Sequence, residues 1–218
     1  MLLSPNNPGV IGNDWKQRWL ANQIGFHEGT PNKHLVQHWA SLGVRKRARI
    51  LVPLCGAAAD IRWFVEQGHQ VTGIEMVPEA IERFFADSGL TPQRVSAERA
   101  IVWSAGPISI VQGNIFDIGD RPLGKCDAVY DRAAITAMPE KSRPGYRCRL
   151  SRWLVPRAPG LVVSMTYDTS KKEGPPYSVS DDEILKLWPG AVRVGGGPLT
   201  EERWLGLDAA ESVWTVSE

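Results

Sequence analysis

ARILVPLCGAAADIRWFVEQGHQVTGIE, residues 48–75, decides the fold. Arg49 to Leu54 is a short apolar run rich in branched residues, the composition of a strand covered on both faces. Gly56 follows at once as a tight turn. Asp60, Ile61, Trp63, Phe64 and Val65 then recur at helical spacing until Gly68 stops the helix. Val71 to Ile74 make the next strand, and Glu75 stands at its carboxyl end. A βαβ unit holds its ligand beyond the carboxyl ends of its strands. An acidic side chain about 20 residues after the glycine turn is placed to accept hydrogen bonds from both hydroxyls of a ribose. The segment reads as a nucleoside site. The alternative is an ordinary βαβ unit in which Glu75 is incidental.

Missing residues narrow the nucleoside. A dinucleotide site needs G-x-G-x-x-G, because the backbone approaches a pyrophosphate at three points. A P-loop needs G-x-x-x-x-G-K-S/T. Leu54-Cys55-Gly56-Ala57-Ala58-Ala59 has one glycine and no Lys–Ser/Thr pair. A turn without a phosphate cradle suits a nucleoside without phosphates, of which S-adenosylmethionine is the commonest cofactor.

The 218 residues fit one large α/β domain with a substantial core. Formal charge is +1 with no basic block, which argues against nucleic acid or an acidic membrane surface as a partner. No stretch approaches the roughly 18 apolar residues of a membrane span, and Met1–Pro5 lacks a signal peptide's basic start. Cys55, Cys126 and Cys148 are few and odd in number, set among apolar neighbours as reduced cytosolic thiols are. The expectation is a cytoplasmic protein that acts as a monomer on a small molecule.

Nine tryptophans are many for this length. Asn13-Asp14 supplies an N-cap, and the short helix after it carries Trp15 and Trp19 on one face, four residues apart. Pro31 opens a second helix through Leu35 and Trp39. Such a paired aromatic face is either a lid over the nucleoside site or packing against the domain's edge.

Beyond the opening unit the chain alternates as a doubly wound sheet should. Pro78 to Ala86 reads as a helix with Ile81, Phe84 and Phe85 inward. Ala100–Trp103 and Ile108–Gln112 read as a hairpin-like insertion. Cys126–Tyr130 reads as the fourth core strand, ended by Asp131-Arg132. A helix follows from about Pro139 to Leu154, then a buried strand over Leu161–Thr166 and a short helix over Asp181–Leu187. Ala191–Val194 and Ser212–Val216 fit an antiparallel edge hairpin.

Several residues carry two readings. His34 and His38 at i and i+4 could ligate a metal, but they lack the glutamate of H-E-x-x-H, and solvated helix histidines fit better. Cys55 lies by the expected cofactor, yet no histidine shares its local motif, so a small buried strand-end residue is favoured over a nucleophile. Asp131 and Asp168 are either an acid/base pair or two strand-end caps.

Trp15-x-x-Arg18-Trp19 with Gly25-Phe26-His27, Val52-Pro53-Leu54-Cys55-Gly56, Gly73-Ile74-Glu75, Tyr130-Asp131-Arg132-Ala133-Ala134 and Tyr167-Asp168 with Gly174-Pro175-Pro176-Tyr177 occur in that order. Together they resemble the thiopurine S-methyltransferase family. The resemblance implies a class I methyltransferase (Rossmann-like) α/β fold: a doubly wound, mixed seven-stranded sheet with N-terminal lid helices. It would be a single domain over residues 1–218, with residues 1–45 the lid and 46–218 the core. It further implies S-adenosylmethionine as methyl donor and an aromatic or heterocyclic thiol as acceptor. Relatives extend the acceptors to selenium and tellurium compounds and to halide or thiol anions, and a heteroaromatic nitrogen is a further alternative.

Position by position, the resemblance implies that Trp15 and Trp19 cover the cofactor, Leu54 packs against it, and Glu75 takes the ribose hydroxyls. Asn114 and Ile115 would flank the adenine. Arg132 would reach the methionine end or the acceptor, Phe26 would wall the acceptor site, and Arg203 would be a second arginine there. Arg132 and Arg203 are thus the catalytic candidates, favouring a thiolate through charge-assisted hydrogen bonds. The family usually has a lysine after Leu-Cys-Gly, where this chain has Ala57. That removes a cation near the cofactor's carboxylate.

Overall fold

The computed structural model describes residues 15–24 and 27–218. Its centre is β1 (Arg49–Pro53), α1 (Lys33–His38) preceding it, then α2 (Asp60–Glu66) and β2 (Gln70–Glu75). Both faces of β1 are buried, and the period of two divides it: Ile50 and Val52 pack with Phe64, Phe84 and Trp39, whereas Leu51 packs on the other side with Tyr146, Leu150 and Trp153. The apolar run that marked the strand is therefore the seam between two core layers. Gly73 is needed at the middle of β2, because a Cβ there would come within 2.8 Å of Cys55 Sγ.

The remaining elements are α3 (Pro78–Asp87), β3 (Gln93–Ala97), β4 (Ala100–Ala105), β5 (Ile108–Gln112), β6 (Ala128–Arg132), α4 (Arg143–Trp153), β7 (Pro159–Thr166), α5 (Asp181–Leu187), β8 (Val192–Pro198) and β9 (Ala210–Ser217). They form one nine-stranded sheet in the order β3-β4-β5-β2-β1-β6-β7-β9-β8. The five central strands are parallel, and β9 and β8 close one edge antiparallel. This is the doubly wound α/β sheet expected, with two strands more than seven.

The additional strands are β3, just before the region read as an inserted hairpin, and β4 within it. β5 is no insertion: it is a core strand, parallel to β2 with Glu75 opposite Gln112. β4 and β3 extend the edge beyond it, antiparallel. β3 has no apolar alternation to betray it, since nearly all its residues are exposed. It is held by its ladder and by the Arg94 guanidinium lying 3.6 Å from the centre of the Trp103 ring.

Two helix starts differ from expectation. Asn32 rather than Pro31 begins α1, its side chain accepting from His34 N at 2.9 Å, and Trp39–Leu42 continues as a 3-10 turn. The segment before α4 is likewise a separate 3-10 turn over Glu140–Ser142. Cys148 is exposed, unlike the buried Cys55 and Cys126. The Asn13-Asp14 cap lies outside the described residues. Among the described residues no helix is long and apolar enough to cross a membrane.

Asp131 ties the sheet to α4. Its carboxylate is fully buried and accepts from Tyr146 Oη at 2.6 Å and Ile135 N at 3.1 Å. Burial outweighs both bonds and pushes its pKa from 3.8 up to about 6. A carboxyl raised by folding binds its proton more tightly when native, so this contribution is present below pH 3.8 and is lost as pH rises through about 6. At about 1.4 kcal/mol per unit, the loss is about 3 kcal/mol. Denaturant unfolding of wild type and Asp131→Asn at pH 4 and pH 7.5 should show the wild type losing stability relative to the variant as pH rises. A constant difference would exclude the titration.

Candidate active site

The chain leaves β1 and β6, adjacent in the sheet, through two strained residues. Leu54 and Ala133, directly after the two strands, have φ of +46° and +66°, a region unfavourable for residues with a Cβ. Gly56 turns the same way at +50°, and a Cβ there would lie 2.9 Å from Trp19. The backbone thus folds away from the carboxyl ends of the strands and opens a cleft. Trp15 and Trp19 of the helical segment 15–20 line its wall.

Four connected recesses make up the cleft. The first is lined by Trp15, Leu54, Glu75, Asn114, Ile115 and Phe116, and a neighbouring apolar one adds Trp19 and Gly56. The third runs along the Gly56–Asp60 turn to Tyr130 and Arg132. The largest, about 240 Å³, lies beyond Arg132 and is lined by Arg203, Trp204, Glu211 and Pro176 among others. Glu28, Arg132 and Ala133 line both it and the third recess, so they form the shared wall.

Glu75 is buried and faces the first recess while building the turn. Its Oε2 accepts from Gly56 N at 2.8 Å, and Oε1 accepts from Met76 N at 2.7 Å and Val77 N at 2.8 Å. Burial outweighs these bonds and raises the carboxyl above its usual range. Asn114 Oδ1 accepts from Phe116 N at 3.0 Å, which fixes the loop after β5 and keeps the nearly buried Ile115 on the recess wall. Trp15, Trp19, Leu54, Glu75, Asn114 and Ile115 therefore line two adjoining recesses that share Trp15, Leu54 and Glu75.

Arg132 forms an ion pair with Glu28, which Asn32 Nδ2 also contacts at 3.2 Å. Arg203 belongs only to the largest cavity, its guanidinium 5.2 Å from the Trp204 ring and 4.0 Å from Glu201 Oε1. Phe26 lies outside the described residues. Ala57, buried beside Ala58 and Ala59, lines the third recess, where Arg132 supplies positive charge.

The acid/base pairing of Asp131 and Asp168 does not hold. Asp131 serves Tyr146 and Ile135, and Asp168 Oδ1 accepts from Ser170 N at 3.0 Å, so both are caps. His34 is not a solvated helix residue either: it is buried, with Nε2 3.1 Å from Glu211 Oε2. Among the described residues no three His, Cys, Asp or Glu side chains converge on a metal position. Burial first, and the Glu75 charge second, hold the Cys55 thiol well above its usual pKa, so it is unreactive.

Sequence reasoning passed over three groups. Asp60 accepts from Asn32 N at 2.7 Å and lines the third recess. Tyr130 Oη is buried on the same recess with the Asp60 carboxylate as its polar neighbour. Glu211 joins the largest cavity from β9. Tyr130 sat within a quoted motif. Asp60 and Glu211 gave no local signal.

The cofactor proposed from sequence fits these walls. Two indoles and Ile115 offer an apolar cover, Glu75 an anionic acceptor, and Tyr130, Asp60 and Arg132 both polarities needed by an amino acid's ends.

The family model of thiopurine S-methyltransferase matches residues 11–202. A thiopurine S-methyltransferase of Xanthomonas campestris is 41% identical over 174 residues, covering 80% of each chain. That of Bordetella petrii is 40% identical, covering 81% of this chain and 80% of its own. Among solved structures, the 1,6-didemethyltoxoflavin-N1-methyltransferase of Burkholderia thailandensis superposes with a TM-score of 0.67 at 16% identity, covering 100% of this chain and 92% of its own. A TehB-like methyltransferase of Corynebacterium glutamicum gives 0.54 at 15% identity, covering 97% and 100%. At that identity these two structures bear on the fold alone.

Proposed function

This chain belongs to the thiopurine S-methyltransferase family and is an S-adenosylmethionine-dependent methyltransferase, and we propose that it methylates the sulfur of a small aromatic or heterocyclic thiol. The observation that carries the acceptor is the cavity of about 240 Å³, which borders the cofactor recess and is lined by Arg132 and Arg203. Its size suits one ring system, and its guanidinium groups suit an anionic or strongly polarised sulfur.

When bound, the cofactor supplies a methyl already activated by its sulfonium. The residues then have to bind, align and exclude water. In this reading Glu75 accepts from the ribose hydroxyls, while Asn114 and Ile115 flank the adenine under Trp15. Leu54 packs against the cofactor and Trp19 closes over Gly56. Asp60 and Glu28 attract an ammonium, and Arg132 with the Tyr130 hydroxyl takes a carboxylate. Arg132 therefore faces both ligands, and Arg203 touches the acceptor alone. The helical segment 15–20 acts as the lid, whereas Leu35 and Trp39 further along pack into the core of the same domain.

Turnover of labelled S-adenosylmethionine with a panel of acceptors tests this. Heteroaromatic thiols should be methylated at least about tenfold more efficiently than halides, selenite or ring nitrogens lacking sulfur, a difference of about 1.4 kcal/mol in barrier. A preference for any of those alternatives would replace the sulfur assignment.

A further inference from the structure

Glu211 stands on the wall of the acceptor cavity, paired with His34 across 177 residues of sequence. His34 Nε2 lies 3.1 Å from Glu211 Oε2, and with the carboxyl ionised it is the Nε2–H that donates. Among the described residues only Oε2 of this carboxylate is engaged, which leaves Oε1 for a ligand. The charges around Glu211 come from every side. His34 and Lys33 face it from α1, with His38 behind them, its ring 6.3 Å from that of His34, and Arg132 faces it from β6. Across the cavity are the carboxylates Glu28 and Glu201 and the cations Arg18, Lys172 and Arg203. Burial pushes the Glu211 carboxyl up, but the His34 bond, its charge, Arg132 and Lys33 outweigh burial and hold it below the usual range.

A wall that mixes fixed cations with an anchored carboxylate is poorly matched to a simple thiolate, which the carboxylate would repel. It matches a ligand that carries a polarised sulfur and an N–H donor together. We propose that Glu211, oriented by His34, accepts the ring N–H proton of a heterocyclic thione, so that the enzyme takes the neutral N–H/C=S tautomer as its acceptor. This rests on the sulfur-methylating function proposed above. In the step, the thione sulfur forms the new S–CH3 bond as the donor's sulfonium–methyl bond breaks and its electron pair stays with the donor sulfur. Positive charge develops on the ring, the N–H bond breaks with its electrons returning to the ring, and the proton passes to Glu211 Oε1. The ring N–H becomes far more acidic as the sulfur is alkylated, so a carboxylate that remains ionised is a sufficient base. Glu211 is thus a catalytic residue and His34 a positioning residue.

The test compares a thione bearing N–H beside C=S with an aryl thiol lacking ring nitrogen. Glu211→Gln should lower kcat/KM at least about tenfold more for the thione, at the low end of general-base effects. That extra loss should shrink as pH is raised past the thione's own ionisation, because solvent then removes the proton. A binding readout accompanies it: with S-adenosylhomocysteine present, wild type should bind the thione about tenfold more tightly than its N-methyl analogue. Glu211→Gln should lose most of that preference. His34→Gln, which keeps a donor to Oε2, should show a smaller loss of the same pattern, and it decides the matter if Glu211→Gln does not fold. Equal losses on both acceptors with no recovery at high pH, or a wild type indifferent to N-methylation, would overturn the proposal. A wild type inactive on both acceptors would instead refute the sulfur reading, and the binding comparison would still decide the role of Glu211.

Discussion

Glu75→Ala should weaken S-adenosylmethionine binding at least about 100-fold. Two ribose hydroxyls would lose a charged acceptor, at roughly 1.5–3 kcal/mol each. The loss is compounded in the free protein. The carboxylate also accepts from Gly56 N, Met76 N and Val77 N, so alanine leaves backbone donors of the glycine turn without partners. Each buried donor orphaned costs about 1–3 kcal/mol, so the melting temperature should fall as well. Glu75→Gln retains an acceptor oxygen and should lose about tenfold. Because burial raises the carboxyl, cofactor affinity should also decline on acidification before an exposed glutamate would protonate. Calorimetric titration checks the three statements on affinity, and thermal unfolding checks the melting temperature. A folded Glu75→Ala protein with unchanged affinity would remove the ribose role.

Arg132→Met should lower kcat/KM by about 100-fold, the second large effect. Arg132 lies on the wall between the two recesses, its side chain 16% exposed and paired with Glu28. Methionine preserves length and packing but removes the fork, leaving Glu28 beside the acceptor without its cation. A charge-assisted, bidentate contact supplies about 3 kcal/mol at this depth. Lysine should restore part of the activity, since a point charge cannot reproduce the guanidinium plane. Arg203→Met should cost less, because that side chain is half exposed. Kinetics on thiols of graded acidity check the cause. A loss that is the same whatever the charge or polarisation of the acceptor's sulfur would mean that Arg132 does not act through that sulfur.

The βαβ half of the site was legible because it is local. The apolar run, glycine turn, helix and terminal carboxylate lie within residues 48–75, and hydrophobic periodicity reports such neighbours directly. Glu75, Leu54 and Asn114 line one recess. β3 was illegible because an exposed edge strand with no buried face has no period to detect. β5 was visible as a strand, but its place in the core depends on pairing with β2, which no local pattern encodes. The largest cavity was the least legible part. Arg132 carried a motif, but Glu211 and His34 meet only because β9 returns beside β7, at the edge where α1 packs. Read alone, His34 looked like a surface residue of a short helix.

The central claim is that this cleft moves a methyl group from S-adenosylmethionine to the sulfur of a small ring thiol. Methyl-carbon-13-labelled S-adenosylmethionine, a heteroaromatic thiol and the protein in one NMR tube test it most directly. The prediction is a new, protein-dependent signal at the chemical shift of an S-methyl group, growing as the sulfonium methyl signal decays. A signal at the N-methyl position, or decay of the donor without any methylated ring, would contradict it.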